Sequence, residues 1–179
     1  EETLVKKYGL RDAIVVDSLE DNEKLIQRDL GTAAAYYLES GIRPNEIIGI
    51  SSWSATLLAL VDALHMLPKK PGVKVVQILG GVGNPAVEAH ATRLTSRMAQ
   101  LVNGDAVYLP VAGILATEAA RDVLMADEVT QQAIRLFDQV TTALVGIGAI
   151  DPSPLLAQSG NIFSPKELDL LRQKKAVGD

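Results

Sequence analysis

The stretch IGISSWSATLLALVDAL, residues 48–64, joins a short apolar run to an amphipathic segment through three serines and a threonine. The apolar run predicts a buried strand, and the pattern that begins at Ser54 predicts a helix to about Leu67. One serine would be enough to cap that helix. Four hydroxyl residues within residues 51–56 exceed this need, and the free N–H groups of a helix N-terminus bind anions. The stretch therefore predicts a strand–helix unit whose junction holds a negatively charged group.

The same alternation of strand and helix continues on both sides of this stretch. Apolar runs predict strands at residues 12–18, 46–51, 73–79, 106–110 and 141–148. Helical patterns occupy residues 22–40, 54–67, 86–102, 117–126 and 128–138, and Ser164, Pro165 and Glu167 mark the start of another helix. In the first of these helices we expect Gly41 at the C′ position and one buried stripe, formed by Leu25, Ile26, Leu30, Ala33, Ala34, Tyr37 and Leu38. Short apolar strands that alternate with helices indicate an α/β fold with a mainly parallel sheet between two helical layers.

Composition narrows the function classes. The chain has 179 residues, of which 47% are apolar and 22% charged, which fits one globular domain. It contains no cysteine, so disulfides and thiolate chemistry are excluded. The net charge is −5 with no basic cluster, which argues against direct binding of nucleic acid by this segment. We see no signal peptide and no apolar span long enough for a membrane, so we expect a cytoplasmic protein.

Ligands of open parallel sheets bind beyond the carboxyl ends of the strands, and four loops qualify: residues 51–56, 80–85, 110–117 and 146–153. The second loop matches the dinucleotide fingerprint G-x-G-x-x-A from Gly81 to Ala86. A dinucleotide site also needs an acidic residue at the end of the next strand, whereas Asp105 lies at that strand's beginning. We therefore favour a glycine-rich rim around a different ligand.

Several other polar residues suggest contacts. Gln77 interrupts a buried strand, and a hydroxyl-rich ligand would supply the partners that a buried amide needs. Arg93 and Arg97 lie four residues apart and could meet a phosphate, or form a solvated helix face. Trp53 could stack on a ligand or pack in the loop. His65 and His90 lack metal-motif spacing, so we expect no metal and no cofactor.

In these loops the sequence resembles the effector-binding domain of the SorC/DeoR-like family of bacterial sugar-responsive transcriptional regulators. The resemblance covers nearly the whole chain from Tyr8. It is carried, in the family's order, by YGLRDAIVVD, IGISSWSATL, QILGGVGNPAVEAHATRLTSRMAQLV, AVYLPVAGIL, LVGIGAI and SGNIFSPKELDLLRQKKAVGD. It implies a three-layer αβα open sheet, like that of sugar-phosphate isomerases and CoA transferases. It also implies that residues 1–179 are an effector-binding fragment, truncated at the C-terminus, with a helix-turn-helix domain upstream.

The resemblance implies that the domain binds a phosphorylated sugar or polyol and modulates operator binding by a homodimer or homotetramer. It assigns ligand contacts to Ser51, Ser52, Trp53, Ser54, Ala55, Thr56, Gln77, Gly80, Gly81, Asn84, Gly146 and Gly148. The alternative is a sugar-phosphate isomerase or deaminase, which needs a general base. The nearest candidates for that base are Glu88, Glu118 and Asp151, and without an Asp–His pair or cysteine we predict no enzymatic activity. A purely structural oligomerisation domain is the third alternative.

Overall fold

A computed structural model describes residues 1–51, 54–81, 85–113, 115, 117–150 and 164–178. Its helices are α1 (Glu2–Tyr8), α2 (Glu23–Gly41), α3 (Ala55–Ala63), α4 (Pro85–Leu101), α5 (Glu118–Ala126), α6 (Glu128–Ile134) and α7 (Pro165–Gln173). The strands are β1 (Ile47–Ile50), β2 (Lys74–Gln77), β3 (Asp105–Val107) and β4 (Thr142–Leu144), and a 3₁₀ turn spans Phe137–Gln139.

The four strands form one parallel sheet in the order β3-β2-β1-β4. From β1 the chain moves outward through β2 to β3 and then returns to place β4 on the other side of β1. The strand order therefore reverses between β1 and β4. Because crossovers between parallel strands are right-handed, α3 and α4, which follow β1 and β2, lie on the same face of the sheet. This is the α/β architecture that the alternating pattern predicts.

The main core lies between the sheet and helices α2, α3 and α4. Residues paired in register share a face, so Ile48, Val75 and Ala106 point to the same side, as do Ile50 and Gln77 one step further along. Ile48, Ile50 and Val75 are fully buried there, and they pack with buried side chains of the three helices, namely Leu38, Leu57, Leu60, Leu94 and Met98. The same face therefore carries both the core and, at its carboxyl end, Gln77.

Helix α2 confirms part of the predicted stripe: Leu38 is buried, and four other members are partly buried, namely Leu25, Ile26, Ala33 and Ala34. Its buried positions are Gly31, Ala35 and Leu38, whereas Leu30 is 38% and Tyr37 53% exposed. A Cβ added at Gly31 would lie 2.6 Å from the backbone carbon of Ala59 in α3, so the two helices touch. The apolar pattern pointed to the larger side chains, but close helix contact buries the small ones. Gly41 is the last helical residue rather than C′, and the extended Ile42 is the C-cap.

Other predicted boundaries also differ. Residues 12–18 form no strand, and Ile14 and Val15 are about half exposed because no neighbouring strand pairs with them in the described part of the chain. Helix α1 was not expected. Helix α3 ends at Ala63 rather than near Leu67, since Leu64 is already extended. By contrast, α7 begins with the predicted capping box, in which Ser164 accepts from the Glu167 N–H and Glu167 accepts from the Ser164 N–H. Within the described residues, no helix is long and apolar enough to cross a membrane.

Candidate functional site

The carboxyl ends of β1 and β4 meet where the strand order reverses, which is the usual place for a ligand in an open α/β sheet. The N–H of Ser51, just beyond β1, donates to the backbone oxygen of Leu144, the last residue of β4, at 3.0 Å. On the other side of β1, the N–H of Ile78 donates to the backbone oxygen of Ile50 at 3.1 Å. The carboxyl end of β1 is therefore bonded to both neighbouring strands as far as Ser51.

Helix α3 begins directly at this loop. Ser54 is the N-cap, and its side-chain oxygen accepts from the N–H of Leu57 at 3.3 Å. Only one of the orphan N–H groups of the first turn is satisfied in this way, and the partial positive charge of the helix dipole is concentrated at the same end. Ser51, Ser54, Ala55 and Thr56 are all partly buried. The junction has the donors that an oxyanion needs.

Gly146 brings the loop after β4 against the start of α3. A Cβ added at Gly146 would lie 2.7 Å from Oγ and 2.8 Å from Cβ of Ser54. No real side chain tolerates such a distance, so this approach requires glycine. The contact joins the two loops of the switch point into one surface. Gly148, two residues further on, is exposed and lies against Gly178 near the end of the described chain.

Gly80 and Gly81 are buried where the loop after β2 runs beside the loop after β3. The Gly81 N–H donates to the Val111 oxygen at 2.8 Å, and the Gly113 N–H donates to the Gly81 oxygen at 2.5 Å. A Cβ at Gly80 would lie 2.5 Å from the Val111 oxygen. The two glycines thus allow the β2–β3 pairing to continue past the strands. Gly113 was missed among the candidate residues, although the glycine within the predicted tip loop 110–117 was a usable signal.

Gln77 ends β2 and is only 3% exposed. Its Nε2 donates to the backbone oxygen of Leu79 at 2.8 Å, which directs the amide toward the carboxyl end of the sheet. A buried polar atom without a partner costs about 1–3 kcal/mol, so such an amide is retained where a partner is available. This is the polar residue that the sequence singled out, and the structure confirms its burial.

The carboxyl end of the sheet is electrically neutral in sequence. The segments around the strand ends, residues 47–61, 75–87, 106–117 and 139–150, contain no Asp, Glu, Lys, Arg or His, and Asp151 follows the last of them within the predicted tip loop 146–153. An anion at this end would be held by backbone N–H groups, hydroxyl groups and helix dipoles. The candidate general bases of an isomerase or deaminase, Glu88, Glu118 and Asp151, each lie one residue beyond these segments.

The structure brings most of the predicted contact residues together at this edge: Ser51, Ser54, Ala55, Thr56, Gln77, Gly80, Gly81 and Gly146 all lie at or just beyond strand ends. Ser52, Trp53 and Asn84 lie outside the described residues, as does Asp151. Arg93 and Arg97 lie elsewhere, in a groove between α3 and α4, where Arg97 Nη2 is 3.3 Å from Asp62 Oδ1. Among the described residues, no group of three or more His, Asp or Glu side chains is placed to hold a metal.

A family model and two curated relatives match this chain. The sugar-binding domain family (Sugar-bind) matches residues 1–179. The deoxyribonucleoside regulator of Bacillus subtilis (strain 168) is 30% identical over 177 residues, which are 98% of this chain and 55% of the relative. The sorbitol operon regulator of Klebsiella pneumoniae is 27% identical over 185 residues, covering 100% of this chain and 56% of the relative. The chain thus spans little more than half the length of these relatives.

Solved structures of regulators share the fold. A domain of the transcriptional regulator DeoR from Pseudomonas syringae pv. tomato has 44% sequence identity and a TM-score of 0.66, and the match covers 83% of this chain and 62% of that chain. The full-length sorbitol operon regulator SorC from Klebsiella pneumoniae matches all of this chain and 58% of its own, with a TM-score of 0.87. At 24% identity the second match shows the fold alone. The proteins compared are transcriptional regulators rather than enzymes.

Proposed function

Because this chain belongs to the sugar-binding domain family of SorC- and DeoR-type transcriptional regulators, we propose that it senses a phosphorylated sugar or polyol for a full-length regulator. The phosphate lies at the N-terminus of α3, against Ser51, Ser54, Ala55 and Thr56. The sugar hydroxyl groups lie toward Gln77 and the Gly80–Gly81 backbone, with Gly146 closing the side next to β4. Ser52, Trp53, Asn84 and Gly148 complete the proposed contact set.

One observation carries this proposal: the N-terminus of α3 opens at the strand-order reversal, and Gly146 brings the loop after β4 to within contact of its N-cap. The free N–H groups and the dipole at this helix end favour a negatively charged guest. The names of the relatives, a deoxyribonucleoside regulator and a sorbitol operon regulator, agree with an effector that carries several hydroxyl groups.

We place this domain in a longer regulator with a helix-turn-helix domain upstream that binds operator DNA in the cytoplasm as a homodimer or homotetramer. Effector binding alters operator affinity only if the ligand binds the two arrangements of the oligomer unequally. The negative charge of this segment agrees with a regulator in which this domain binds the effector and the upstream domain binds DNA.

Thermal denaturation of the full-length protein with sugar phosphates and with their unphosphorylated counterparts tests the proposal. A ligand that binds only the folded state stabilises it by RT ln(1 + [L]/Kd), about 2.7 kcal/mol at a 100-fold excess over Kd. We expect the melting temperature to rise with phosphorylated compounds and not with free sugars. Equal shifts from both members of each pair would remove the phosphate from the proposal, and no shift from any compound would reject the sensor function.

A matched pair of threonine variants locates the site. Thr56→Val removes a hydroxyl group from the first turn of α3 while keeping the side-chain shape. Thr32→Val removes the same group from α2, where Thr32 Oγ1 donates to the Arg28 oxygen on an exposed surface. We expect the first variant to reduce the ligand-induced shift and the second to leave it unchanged. Equal losses would place the ligand elsewhere.

A further inference from the structure

Among the described residues, only the nitrogen of the Gln77 side-chain amide has a hydrogen-bond partner. Nε2 donates to the backbone oxygen of Leu79. A carbonyl oxygen can only accept, so this bond identifies the nitrogen and leaves Oε1 as the second amide atom. Within the described part of the chain, Oε1 has no donor, although the residue is buried. An orphaned acceptor at this depth calls for a donor from outside these residues.

The position of this acceptor places it at the ligand edge of the sheet. Gln77 is the last residue of β2 and pairs in register with Ile50, the last residue of β1, which directly precedes Ser51. Its side chain lies on the sheet face that α3 and α4 cover, and its amide reaches the backbone of Leu79 beyond the strand end. The acceptor is therefore near the start of α3 but belongs to a different strand.

We infer that Gln77 Oε1 accepts a hydrogen bond from a hydroxyl group of the effector, so that the site selects a ligand with a hydroxyl group at that position. The inference rests on the proposed function, because it concerns the same ligand. Phosphate, carboxylate and keto oxygens cannot fill this role, since they only accept and would face another acceptor. The start of α3 recognises the anion, and Gln77 recognises a donor on the polyol part of the same molecule.

Matched pairs of probes test this selection. D-ribose 5-phosphate is compared with 2-deoxy-D-ribose 5-phosphate, and D-ribitol 5-phosphate with D-ribulose 5-phosphate, an open-chain ketose phosphate that replaces a hydroxyl group by a carbonyl. Further deoxy analogues cover the remaining positions, and calorimetry on the full-length protein gives each Kd. We expect at least one pair in which the wild type prefers the hydroxylated member about 10- to 100-fold. In Gln77→Leu that preference should fall to about threefold or less.

Two further variants separate recognition from folding. Gln77→Met also removes the acceptor and fits a strand position of similar length, so it replaces Gln77→Leu if that protein fails to fold. Gln139→Leu is the matched control, because Gln139 Nε2 also donates to a backbone oxygen, that of Arg135, but on an exposed turn. The control should keep the wild-type preference.

The two possible failures are distinguishable. If no phosphorylated probe binds the wild type, the sensor function and the role of Gln77 both fall. If probes bind but every pair keeps the same Kd ratio in wild type, Gln77→Leu and Gln77→Met, only the role of Gln77 is overturned. A wild type that prefers the keto or deoxy member of every pair would overturn it as well.

Discussion

The two ends of the same four strands differ in how they use polar groups. At the carboxyl end, residues 47–61, 75–87, 106–117 and 139–150 carry no charge, and glycines bring backbones together. At the amino end, charged and polar side chains form hydrogen bonds between neighbouring segments. There, Glu46 Oε1 accepts from the hydroxyl groups of Thr141 at 2.8 Å and Thr142 at 2.7 Å, and Lys70 Nζ donates to the Ile42 oxygen.

The two ends therefore differ in whether their polar groups form hydrogen bonds within the protein. The amino end satisfies its polar groups internally and so contributes to stability. At the carboxyl end, within the part of the chain that the structure describes, the Ser54 side chain caps one N–H group of α3 and no donor reaches Gln77 Oε1. Groups left without an internal partner are available to a ligand. Substitutions at the amino end should therefore change folding without changing binding, and substitutions at the carboxyl end should do the reverse.

The largest effect is expected at a turn of the amino end. Gly72 has φ +72°, and an added Cβ would meet the side-chain oxygen of Asn45, itself at φ 62°. Gly72→Ala should lower the free energy of unfolding by about 1–3 kcal/mol, chiefly through strain at the positive φ. The Asn45 side-chain oxygen can rotate away, and only the Asn45 Cα, 3.3 Å from the added Cβ, resists the new methyl group. Urea denaturation of the full-length protein measures this, and the Kd for a sugar phosphate should not change.

Gly9→Ala is the control for Gly72→Ala. Gly9 has φ +62° and no atom within 4 Å of an added Cβ, so Gly9→Ala introduces strain without overlap. We expect a loss of about 1 kcal/mol. Equal losses at the two glycines would show that the contact between the turns contributes nothing, and a weakened Kd in Gly72→Ala would break the division between the two ends.

An intermediate effect is expected at the carboxyl end, in binding rather than stability. Gly146→Ala places a methyl group against Ser54 and forces the loop after β4 away from the start of α3. We expect the Kd for a phosphorylated sugar to rise about tenfold, or about 1.4 kcal/mol. Gly41→Ala is the control, because nothing lies within 4 Å of its added Cβ. An unchanged Kd in Gly146→Ala would remove this contact from the site.

The sequence was most informative where one physical rule acts locally. Apolar periodicity predicted the four strands and their intervening helices, and cap chemistry predicted the start of α7 at Ser164. The sequence-based prediction was wrong where tertiary packing determines which side chains are buried and which segments pair. The large apolar residues Leu30 and Tyr37 stay exposed because Gly31 allows α3 to approach. The β-branched run at 12–18 has high strand propensity, but a strand requires a partner as well.

For the site, the sequence predicted which loops lie at the ligand edge but not which of them touch. The carboxyl-end rule selected four loops, residues 51–56, 80–85, 110–117 and 146–153, from the ends of the predicted strands. The approach of Gly146 to Ser54 depends on β4 lying next to β1, a non-local pairing that no short motif reports. The burial of Gln77 could be predicted from its apolar neighbours, whereas the single bond to Leu79 could not.

The smallest effect on stability is expected from the hydrogen bonds that join the edge strand β4 to Glu46 at the amino end of the sheet. Burial raises the pKa of Glu46, but the hydrogen bonds from Thr142 and Thr141 outweigh it and hold that pKa below its ordinary value. A carboxylate with a lowered folded-state pKa stabilises the fold above its unfolded-state pKa, and this contribution is lost as the pH falls through the folded-state value. Thr142→Val should therefore lower the free energy of unfolding at pH 7 by about 0.5–1 kcal/mol.

The pH dependence distinguishes this effect from a packing change. The contribution of charged Glu46 is lost as the pH falls from 4.5, the ordinary pKa value of the carboxyl group, through the lower folded-state pKa, so the difference between wild type and Thr142→Val should shrink there. Urea denaturation from pH 7 to about pH 3 measures it, with Thr32→Val as the control for loss of a hydroxyl group. A difference that stays constant over this range would mean that Thr142 acts through packing, and that the amino end is held by shape rather than by its charge.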